Sequence, residues 1–376
     1  MRSDKKNCPA ILHIIHGSFF GPFIEAARSY NSMLRATLPN HKIVTVFLKG
    51  SFNEEIEQYI ESDEVLFLDA SRHQLKGSQK ALGHALREKY DKNAFNLCIA
   101  HRTKSTSFAL RYFSCPVFSV HHAYGDYSKL MKRLFLRLYK SRITLIGVSQ
   151  SVTNELRKRF PRWSSNHFET LYNRININQF ELSLLNREQA REALGVDAQD
   201  WVIGHVGRLH PTKDQATLIK GFAKASVNLP ENVKLLIAGN GSEENNLKEL
   251  ASQLKITKKI VFTGYLKHAK QYFKAFDCFV LSSLQETFGM VLLEAMAAEV
   301  PCIVSNCGGA VEVIGECGYI FTPRDSNNLS AHITKLFYEG GPCSPIQMRK
   351  RLSDNFSDEA AIKKFQNLLF KHDLIS

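Results

Sequence analysis

Short runs of β-forming apolar residues recur along the chain, separated by longer segments with helical patterns. In the first half they lie at Ile11 to Ile15, Ile43 to Leu48, Val65 to Leu68, Leu97 to Ala100, Val117 to Val120 and Leu145 to Val148. After a polar stretch near Gln179 to Gln189 the alternation restarts, at Trp201 to Val206, Lys234 to Ala238, Ile260 to Thr263, Cys278 to Leu281 and Cys302 to Ser305. Such alternation is typical of parallel sheets with crossover helices. The sequence therefore predicts an α/β chain with two tandem doubly wound domains.

We expect the first domain at residues 1–180 and the second at 190–355, with a C-terminal helix at about 357–370 that packs back on the first. A length of 376 residues with 44% apolar content is enough for two cores. In open α/β sheets ligands bind outside the carboxyl ends of the strands. Two facing sheets are therefore expected to enclose a ligand cleft between the domains.

The cysteines and the apolar runs indicate where the protein works. The eight cysteines include no CxxC pair, which favours a reducing compartment and argues against a zinc site. No apolar stretch approaches the roughly 18 residues that span a bilayer. The basic segment Met1 to Lys6 precedes a strand that His13 and His16 interrupt, so it is not interpreted as a signal peptide. A cytoplasmic protein with peripheral membrane contact at most is expected.

The positive charge is concentrated in the first half of the chain. Of a net charge of +13, residues 1–180 hold 27 Lys and Arg against 14 Asp and Glu, whereas residues 181–376 hold 22 of each class. A basic half indicates an anionic partner, whether nucleic acid, acidic lipid headgroups or a phosphorylated acceptor.

Two glycine-containing loops follow the first strands of the second half. Gly207 and Arg208 begin a loop that reaches Lys213, and two cations at the carboxyl end of a strand are suited to clamp a diphosphate. An ordinary solvated loop is the alternative for this motif taken alone. After the next strand, Gly239-Asn240-Gly241 predicts a turn in which glycine permits positive φ and a close ligand.

The segment from Ser282 to Ala298 carries the sharpest signal. A strand ends near Leu281, and Thr287 is a suitable N-cap for the helix that follows. The amides of Phe288, Gly289 and Met290 would then form a phosphate site. Glu294 lies in a helix that is apolar on every side, so its carboxylate needs a partner such as ligand hydroxyls. Glu286, just before the helix, is placed to reach the sugar end of the same ligand.

Histidines and cations follow two strands of the first half. His101-Arg102 and His121-His122 each come directly after a strand, where they are candidates to contact an acceptor. A structural role is the alternative for each histidine.

A basic segment with interleaved apolar residues follows. From 129 to 142 there are six cations and no acid, namely Lys129, Lys132, Arg133, Arg137, Lys140 and Arg142. Spacings of three and four put most of them on one helical face, as in a membrane-surface helix. At about 1 kcal/mol per basic residue, they would support reversible docking to an anionic bilayer. A solvated basic face is the alternative.

Together these motifs resemble the retaining glycosyltransferases of family 4, which have the GT-B fold of two facing Rossmann-like domains. The resemblance rests on Glu286 and Glu294 at the E-x7-E spacing, the Gly207 to Asp214 loop, the Gly239-Asn240-Gly241 turn, and Val148-Ser149 before a helix. It spans nearly the whole chain and extends to bacterial lipopolysaccharide-core and cell-envelope enzymes.

The resemblance implies roles for individual residues. Arg208 and Lys213 would bind the donor diphosphate, Glu294 the ribose hydroxyls and Glu286 the transferred sugar. The segment from Phe288 to Val291 would bind the phosphate and sugar, and His121 would lie near the reacting sugar. The resemblance further implies transfer with retention of configuration, no metal or other cofactor, and a UDP- or GDP-linked donor.

The chain departs from the family pattern at three places, the first being the loop after the first strand, whose only glycines are Gly17 and Gly21. Asn173-Arg174-Ile175-Asn176 stands where the family has Asn-Gly-Ile-Asp, so that turn must form without glycine. Glu299 stands where a glycine often ends the long helix, which costs about 1 kcal/mol if its backbone is left-handed.

The sequence thus predicts a sugar transferase acting on a lipid-linked, lipopolysaccharide-core or other envelope glycan at the inner face of the cytoplasmic membrane. One alternative is a soluble GT-B enzyme of another type, such as a glucan synthase or a nucleotide-sugar epimerase. Another is a nucleic-acid-binding protein, but no nucleic-acid motif accompanies the high pI of 9.3. We therefore expect no nucleic-acid partner.

Overall fold

The computed structural model describes residues 9–19 and 21–375, and the chain divides into two compact units. The first contains the described residues up to Tyr172 together with those from Ala361 onward, and the second is Asn173–Ala360. The expected boundary between 180 and 190 is therefore too late. The reason is local: the Ile175 N–H donates to the Phe356 carbonyl at 2.9 Å, which joins this segment to the second unit. The basic segment Met1 to Lys6 lies outside the described residues.

Seven strands and six helices alternate in the first unit. The strands are β1 (Ala10–Ile15), β2 (Lys42–Phe47), β3 (Glu64–Phe67), β4 (Leu97–His101), β5 (Val117–His121), β6 (Ile143–Gly147) and β7 (Phe168–Thr170). The helices are α1 (Pro22–Thr37), α2 (Glu54–Tyr59), α3 (Lys80–Lys89), α4 (Arg102–Tyr112), α5 (Leu130–Arg137) and α6 (Gln150–Arg159). The strands form one parallel sheet in the order β3-β2-β1-β4-β5-β6-β7.

Most residues in the strands of this sheet are apolar, because helices cover both of its faces. All residues of β4, β5 and β6 are buried. On one face Ile15 and Phe47 pack with Ile24 and with Ile56 in a common cluster. This packing fixes the polar residues that follow each strand at one edge of the sheet.

The second unit repeats the pattern with six strands. They are β8 (Trp201–Val206), β9 (Val233–Ala238), β10 (Ile260–Gly264), β11 (Cys278–Leu281), β12 (Cys302–Ser305) and β13 (Gly318–Phe321). The helices are α7 (Ile177–Ser183), α8 (Arg187–Leu194), α9 (Gln215–Ala225), α10 (Glu244–Gln253), α11 (Met290–Ala297), α12 (Gly308–Ile314), α13 (Ser326–Glu339) and α14 (Pro345–Phe356). The parallel sheet has the order β10-β9-β8-β11-β12-β13.

Both sheets have their first strand near the middle and grow outward on either side of it. The order reverses between β1 and β4 in the first unit and between β8 and β11 in the second. This is the doubly wound Rossmann arrangement, in which ligands bind at the reversal point beyond the carboxyl ends of the strands. The two tandem Rossmann-like domains predicted from the sequence are confirmed.

The turn expected to need glycine forms without it. Arg174 makes an ion pair with Asp358 at 2.5 Å, and Asn176 caps α7 by accepting from the Gln179 N–H at 2.9 Å. The positive-φ residues do not include Arg174, whereas Glu299 does adopt the left-handed φ of 65°.

The last helix, α15 (Asp358–Lys371), begins in the second unit and ends in the first. Phe365 and Leu369 on this helix are fully buried, and the Phe365 ring meets the Phe118 ring edge-on. His372, just beyond it, lies 3.3 Å from the Thr144 hydroxyl. The helix thus covers one face of the first sheet.

No helix among the described residues has the length and apolar character needed to cross a bilayer. In the same part of the chain, no three His, Cys, Asp or Glu side chains are grouped closely enough to hold a metal ion.

Candidate active site

Two glycine loops, one after β8 and one after β9, lie in close contact beside the reversal point of the second sheet. The Gly207 N–H donates to the Ala238 carbonyl at 2.9 Å, and the Leu209 N–H donates to Asn240 at 2.8 Å. A Cβ on Gly239 would lie 1.9 Å from the Gly207 carbonyl oxygen, and one on Gly241 would lie 2.1 Å from that of Leu209. Both glycines have positive φ. The close approach that requires glycine is thus between two loops of the chain itself.

Two buried side chains that were not predicted from the sequence, His205 and Gln215, support the loop after β8. His205 is buried on β8, and its Nδ1 lies 2.9 Å from the Val280 carbonyl. Gln215 donates both to His205 Nε2 at 3.1 Å and to the Arg208 carbonyl at 3.0 Å. Burial lowers the pKa of His205 to about 4, so the ring is neutral. The Arg208 side chain is exposed above this support.

Lys213 and Glu286, predicted separately as phosphate and sugar ligands, contact each other. Lys213 Nζ lies 2.6 Å from Glu286 Oε2, and both side chains are largely covered. The backbones around them are also joined, since the Leu284 N–H donates to the Thr212 carbonyl at 2.8 Å. Ser282 donates to the Lys213 carbonyl at 2.9 Å. The ends of β8 and β11 therefore present one cation and one carboxylate side by side.

The helix after β11 begins later than the sequence suggested. It starts at Met290, its N-cap is Gly289 with φ 97°, and no side chain caps it, so the prediction that Thr287 is the N-cap is wrong. The loop after β12 explains the delay, because the Gly309 N–H donates to the Glu286 carbonyl at 2.9 Å. A Cβ on Gly309 would lie 2.3 Å from the Thr287 carbonyl oxygen. The residues just before Gly289 are thus held outside the helix, beside that loop.

The first turn of α11 still offers backbone donors. Met290 and Val291 are its first two residues, and N–H groups in a first turn have no carbonyl four residues earlier within the helix. The positive end of the helix dipole lies there as well, which favours an anionic group.

Glu294 lies on α11 among apolar neighbours, as the sequence predicted. Burial raises the pKa of its carboxyl to about 7, against a small opposing effect of Lys270. Leu293 and Ala295 on either side of it are fully buried. Its carboxylate has no hydrogen bond or ion pair with any described residue. A carboxylate in such a place is costly unless a ligand supplies the missing donors.

The family profile described as glycosyl transferases group 1 matches residues 186–357. The match covers less than half of the chain but most of the second unit, and we call the matched part, residues 186–357, the group 1 domain. The matched range covers α8 to α14 and contains Arg208, Lys213, Glu286 and Glu294. The group 1 domain therefore includes every residue predicted to bind the donor.

Curated relatives are similar to this chain over part of their length. An uncharacterized glycosyltransferase, MJ1607 of Methanocaldococcus jannaschii, is 35% identical over 51% of this chain and 49% of its own. The capsular polysaccharide biosynthesis glycosyltransferase CapM of Staphylococcus aureus is 30% identical over 52% of each chain. The chain thus spans about half the length of these curated relatives.

A solved structure extends the likeness to both units. HepE of Anabaena, crystallised with UDP and glucose, superposes with a TM-score of 0.73 at 22% identity and covers 96% of this chain and 99% of its own. At this identity the likeness shows the fold, which is the GT-B fold predicted from the sequence.

In the first unit, His121 is fully buried at the end of β5. Its Nε2 lies 2.8 Å from the Ser119 hydroxyl, and its Nδ1 lies 2.7 Å from Asp126 Oδ2. Burial would raise the pKa of Asp126, but the hydrogen bond with His121 holds it below its usual value. Because both ring nitrogens are engaged, His121 must give up one of these bonds before it touches a ligand.

His101 and His122, both expected on the acceptor side, contact each other. His101 Nδ1 lies 2.7 Å from His122 Nε2, and the two rings are stacked. Arg102, between β4 and the rest of α4, has a left-handed φ of 68°. His13 lies 2.9 Å from His101, a contact that the sequence did not predict.

The basic segment after β5 forms a shorter helix than its charge pattern suggested. Helix α5 has eight residues, Leu130–Arg137, and Lys140 belongs to a separate 3-10 turn. Arg142 does not join the surface patch, because it donates to the carbonyls of Phe113 and Leu110 at 2.7 and 2.9 Å.

The outer face of α5 is apolar as well as basic. Four large apolar side chains are exposed on or next to it, namely Leu130, Met131, Leu134 and Leu138. Lys129, Lys132 and Arg137 are exposed beside them, whereas Arg133 is half-buried. We call the four exposed apolar residues and three exposed cations the α5 surface.

Proposed function

We propose that the protein is a retaining glycosyltransferase that needs no metal. It moves a sugar from a UDP- or GDP-linked donor to a lipid-linked, lipopolysaccharide-core or other envelope glycan, working at the inner face of an anionic membrane. The donor binds to the group 1 domain, and the first unit binds the acceptor.

The observation that carries this proposal is the arrangement around Lys213 and Glu286. The two side chains form an ion pair at 2.6 Å. A donor diphosphate would take Lys213 together with Arg208, and the sugar hydroxyls would then donate to the Glu286 carboxylate. Glu294 supplies an acceptor for ribose hydroxyls, which offsets the cost of its burial. Two cations and the start of α11 provide positive charge of the kind that a metal supplies in other enzymes.

Retention of configuration follows if the acceptor oxygen attacks the sugar from the face that the phosphate leaves. The bond from sugar carbon to phosphate oxygen breaks, the bond to the acceptor oxygen forms, and the acceptor proton passes to the departing phosphate. Such a step needs no protein nucleophile, and it needs cations that stabilise the phosphate as charge develops on it. Arg208 and Lys213 have this role in the proposal.

The acceptor side is supported by a concentration of positive charge at the carboxyl end of the first sheet. The pKa of Lys104 is lowered by partial burial and then by Lys132, Lys49, Lys76 and Arg102. Such a group of cations favours a phosphorylated acceptor. The α5 surface combines apolar side chains with cations, as a helix that lies on an anionic bilayer requires. CapM, a relative named for capsular polysaccharide biosynthesis, is consistent with an envelope glycan.

Calorimetric titration of the purified protein with UDP, GDP, ADP and their sugar conjugates, in the presence of EDTA, tests the donor half of the proposal. One nucleotide family is expected to bind. Arg208→Ala should weaken binding at least tenfold, because it removes a charge-assisted contact worth about 1.5–3 kcal/mol. Lys220→Ala is the matched control, because it removes an exposed cation from α9 in the same domain. If the folded protein binds none of these nucleotides, the proposal is wrong.

A further inference from the structure

Four side chains form a continuous series of hydrogen bonds across the first sheet. Asn31 Oδ1 lies 2.6 Å from His13 Nδ1, and His13 Nε2 lies 2.9 Å from His101 Nε2. The last step joins His101 Nδ1 to His122 Nε2 at 2.7 Å. We call these four residues the histidine relay. It crosses from β1 to the ends of β4 and β5, at the point where the strand order reverses.

The buried end of the relay has only one possible orientation. Asn31 is fully buried, and its amide nitrogen lies 2.8 Å from the Ile60 carbonyl oxygen and 3.0 Å from the Thr45 hydroxyl. A carbonyl oxygen only accepts, so the amide group must face Ile60, and Oδ1 must face His13. Asn31 therefore acts as an acceptor, and His13 must carry its proton on Nδ1.

The orientation passes along the series because a neutral imidazole has one donor and one acceptor nitrogen. With its proton on Nδ1, His13 accepts at Nε2, so His101 must donate from Nε2. His101 then accepts at Nδ1, so His122 must donate from Nε2. This leaves His122 with an unprotonated Nδ1, which has no partner among the described residues.

These proton positions require neutral imidazole rings, and burial keeps the rings neutral. Burial lowers the pKa of His13 and of His122 to about 4, and it lowers that of His101 well below its usual value. The mutual repulsion of the rings acts in the same direction on His101. At neutral pH all three are therefore uncharged.

We propose that Asn31, acting through His13 and His101, holds Nδ1 of His122 as a hydrogen-bond acceptor for a hydroxyl group of the acceptor substrate. This inference rests on the proposed transferase function. Asn31, His13 and His101 are positioning residues, and only His122 touches the ligand.

The surroundings of His122 favour a hydroxyl over an anionic group at this atom. A neutral nitrogen with a free lone pair accepts from an O–H donor but offers no proton to a phosphate oxygen. The charged and titratable neighbours of His122 are its hydrogen-bond partner His101, then His121, Arg102 and Asp126. Arg102 would bind a phosphate group of the acceptor. The hydroxyl bound by His122 and this phosphate would then lie next to each other on one acceptor molecule.

Long-range proton–nitrogen correlation spectra of the histidine-labelled protein at pH 7 test the orientation directly. Protonated and unprotonated ring nitrogens resonate far apart, so each tautomer is read from the spectrum. We expect the proton on Nδ1 of His13 and on Nε2 of both His101 and His122. A His122 ring protonated on Nδ1, or on both nitrogens, would overturn the proposal.

Variants at the buried end separate a positioning effect from a general structural one. Asn31→Leu removes the acceptor for His13, so His122 should show both tautomers. Thr45→Val is the matched control, since it alters the same buried pocket while Asn31 keeps Ile60 and His13. A single, unchanged His122 tautomer in folded Asn31→Leu would contradict the role of Asn31. If that variant fails to fold, the tautomers seen in the wild-type spectrum still test the proposed orientation of the relay.

A transfer assay with UDP-glucose or GDP-mannose and a bacterial envelope lipid extract tests the contact with the acceptor. His122→Asn puts a carbonyl oxygen near the position of Nδ1, whereas His122→Gln puts its amide near that of Nε2. We expect His122→Gln to raise KM for the extract roughly tenfold, about the value of one hydrogen bond, and His122→Asn to stay within about threefold. Equal losses in both variants would contradict the hydroxyl contact.

Measuring nucleotide binding distinguishes a failure of the proposed function from a failure of the His122 contact. Both His122 variants should bind the donor nucleotide like the wild type, because the predicted donor ligands lie in the group 1 domain. If the wild type binds the nucleotide but transfers nothing to the extract, the hydroxyl contact and the acceptor class fail together, and the spectra still judge the orientation of the relay.

Discussion

At the scale of single residues, the two carboxylates of the candidate donor site differ in whether a cation pairs with them. Lys213 and Glu286 neutralise each other, so neither charge is left buried and unpaired. Glu294 has no such partner. Its burial costs stability, and a residue that costs stability is expected to serve function.

Glu294→Gln should therefore stabilise the group 1 domain at high pH. The folded pKa of about 7 lies above the usual 4.5, so stability is lost as pH rises from about 4.5 through 7. The shift corresponds to a gain of up to about 3 kcal/mol for the variant at pH 8. At pH 4 the two proteins should be equally stable. Urea unfolding followed by Trp201 fluorescence measures the difference.

Glu299→Gln is the control for this prediction, because Glu299 is exposed just after the same helix. It should give the same small change in unfolding free energy at both pH values. A Glu294→Gln variant whose stability relative to the wild type does not change with pH would contradict the burial of this carboxyl.

The charged residues of the candidate donor site could be predicted from the sequence, but the buried polar residues that position the loops around them could not. Lys213, Glu286 and Glu294 stood out because charged side chains follow strands or interrupt an apolar helix. His205 and Gln215 were not singled out, because one polar residue in an apolar strand resembles a satisfied core residue. His13 was noted only as an interruption of the first strand, since its link to His101 arises from pairing between β1 and β4.

At the scale of elements, the crossing of the two glycine loops fixes the edge of the candidate donor site. Gly239→Ala puts a Cβ 1.9 Å from the Gly207 carbonyl oxygen at a positive φ. Overpacking and backbone strain together should cost about 3 kcal/mol. Urea unfolding of the second unit, followed by Trp201 fluorescence, measures the loss.

Gly195→Ala is the control for this prediction. Gly195 ends α8 with φ 65°, and an added Cβ there meets nothing within 4 Å. It should cost about 1 kcal/mol, from strain alone. Equal losses of unfolding free energy at Gly195 and Gly239 would show that the two glycine loops move apart to accommodate the added Cβ.

The cations of the α5 surface are expected to bind the protein to anionic membranes. Replacing Lys129, Lys132 and Arg137 together by Gln should weaken binding to vesicles of anionic phosphatidylglycerol about 100-fold. This follows from about 1 kcal/mol for each basic residue near such a surface. Sedimentation with vesicles measures the affinity, and nucleotide binding should be unchanged.

Lys220, Lys258 and Lys267, replaced together by Gln, form the matched control. They remove the same charge from exposed positions of the second unit. If both triple variants lose vesicle affinity equally, net charge alone explains the attachment, and the α5 surface has no special role.

Most elements were predictable because parallel strands are nearly continuous apolar runs. The eleven strands predicted from the sequence are all present, within two residues at each end. The two strands that were missed, β7 and β13, are short edge strands with few buried residues. The start of α11 was misplaced because a contact from the loop after β12 outweighs the capping preference of Thr287.

At the scale of the whole molecule, the chain passes between the units twice, after Tyr172 and again within α15. The first unit is therefore complete only when the end of the chain has folded onto it. The sequence contains two tryptophans, and each unit has one, Trp163 in the first and Trp201 in the second. Single-tryptophan variants, Trp201→Phe and Trp163→Phe, thus report on each unit separately.

Phe365→Ala should destabilise the first unit alone. Phe365 is fully buried against Phe118, and loss of a buried Phe ring costs about 3–5 kcal/mol. In the Trp201→Phe background the urea midpoint should fall accordingly. Phe370→Ala, on the same helix but 67% exposed, should leave it nearly unchanged. In the Trp163→Phe background, the second unit should unfold at its normal midpoint in both variants. A matching fall there would show that the two units unfold as one cooperative body.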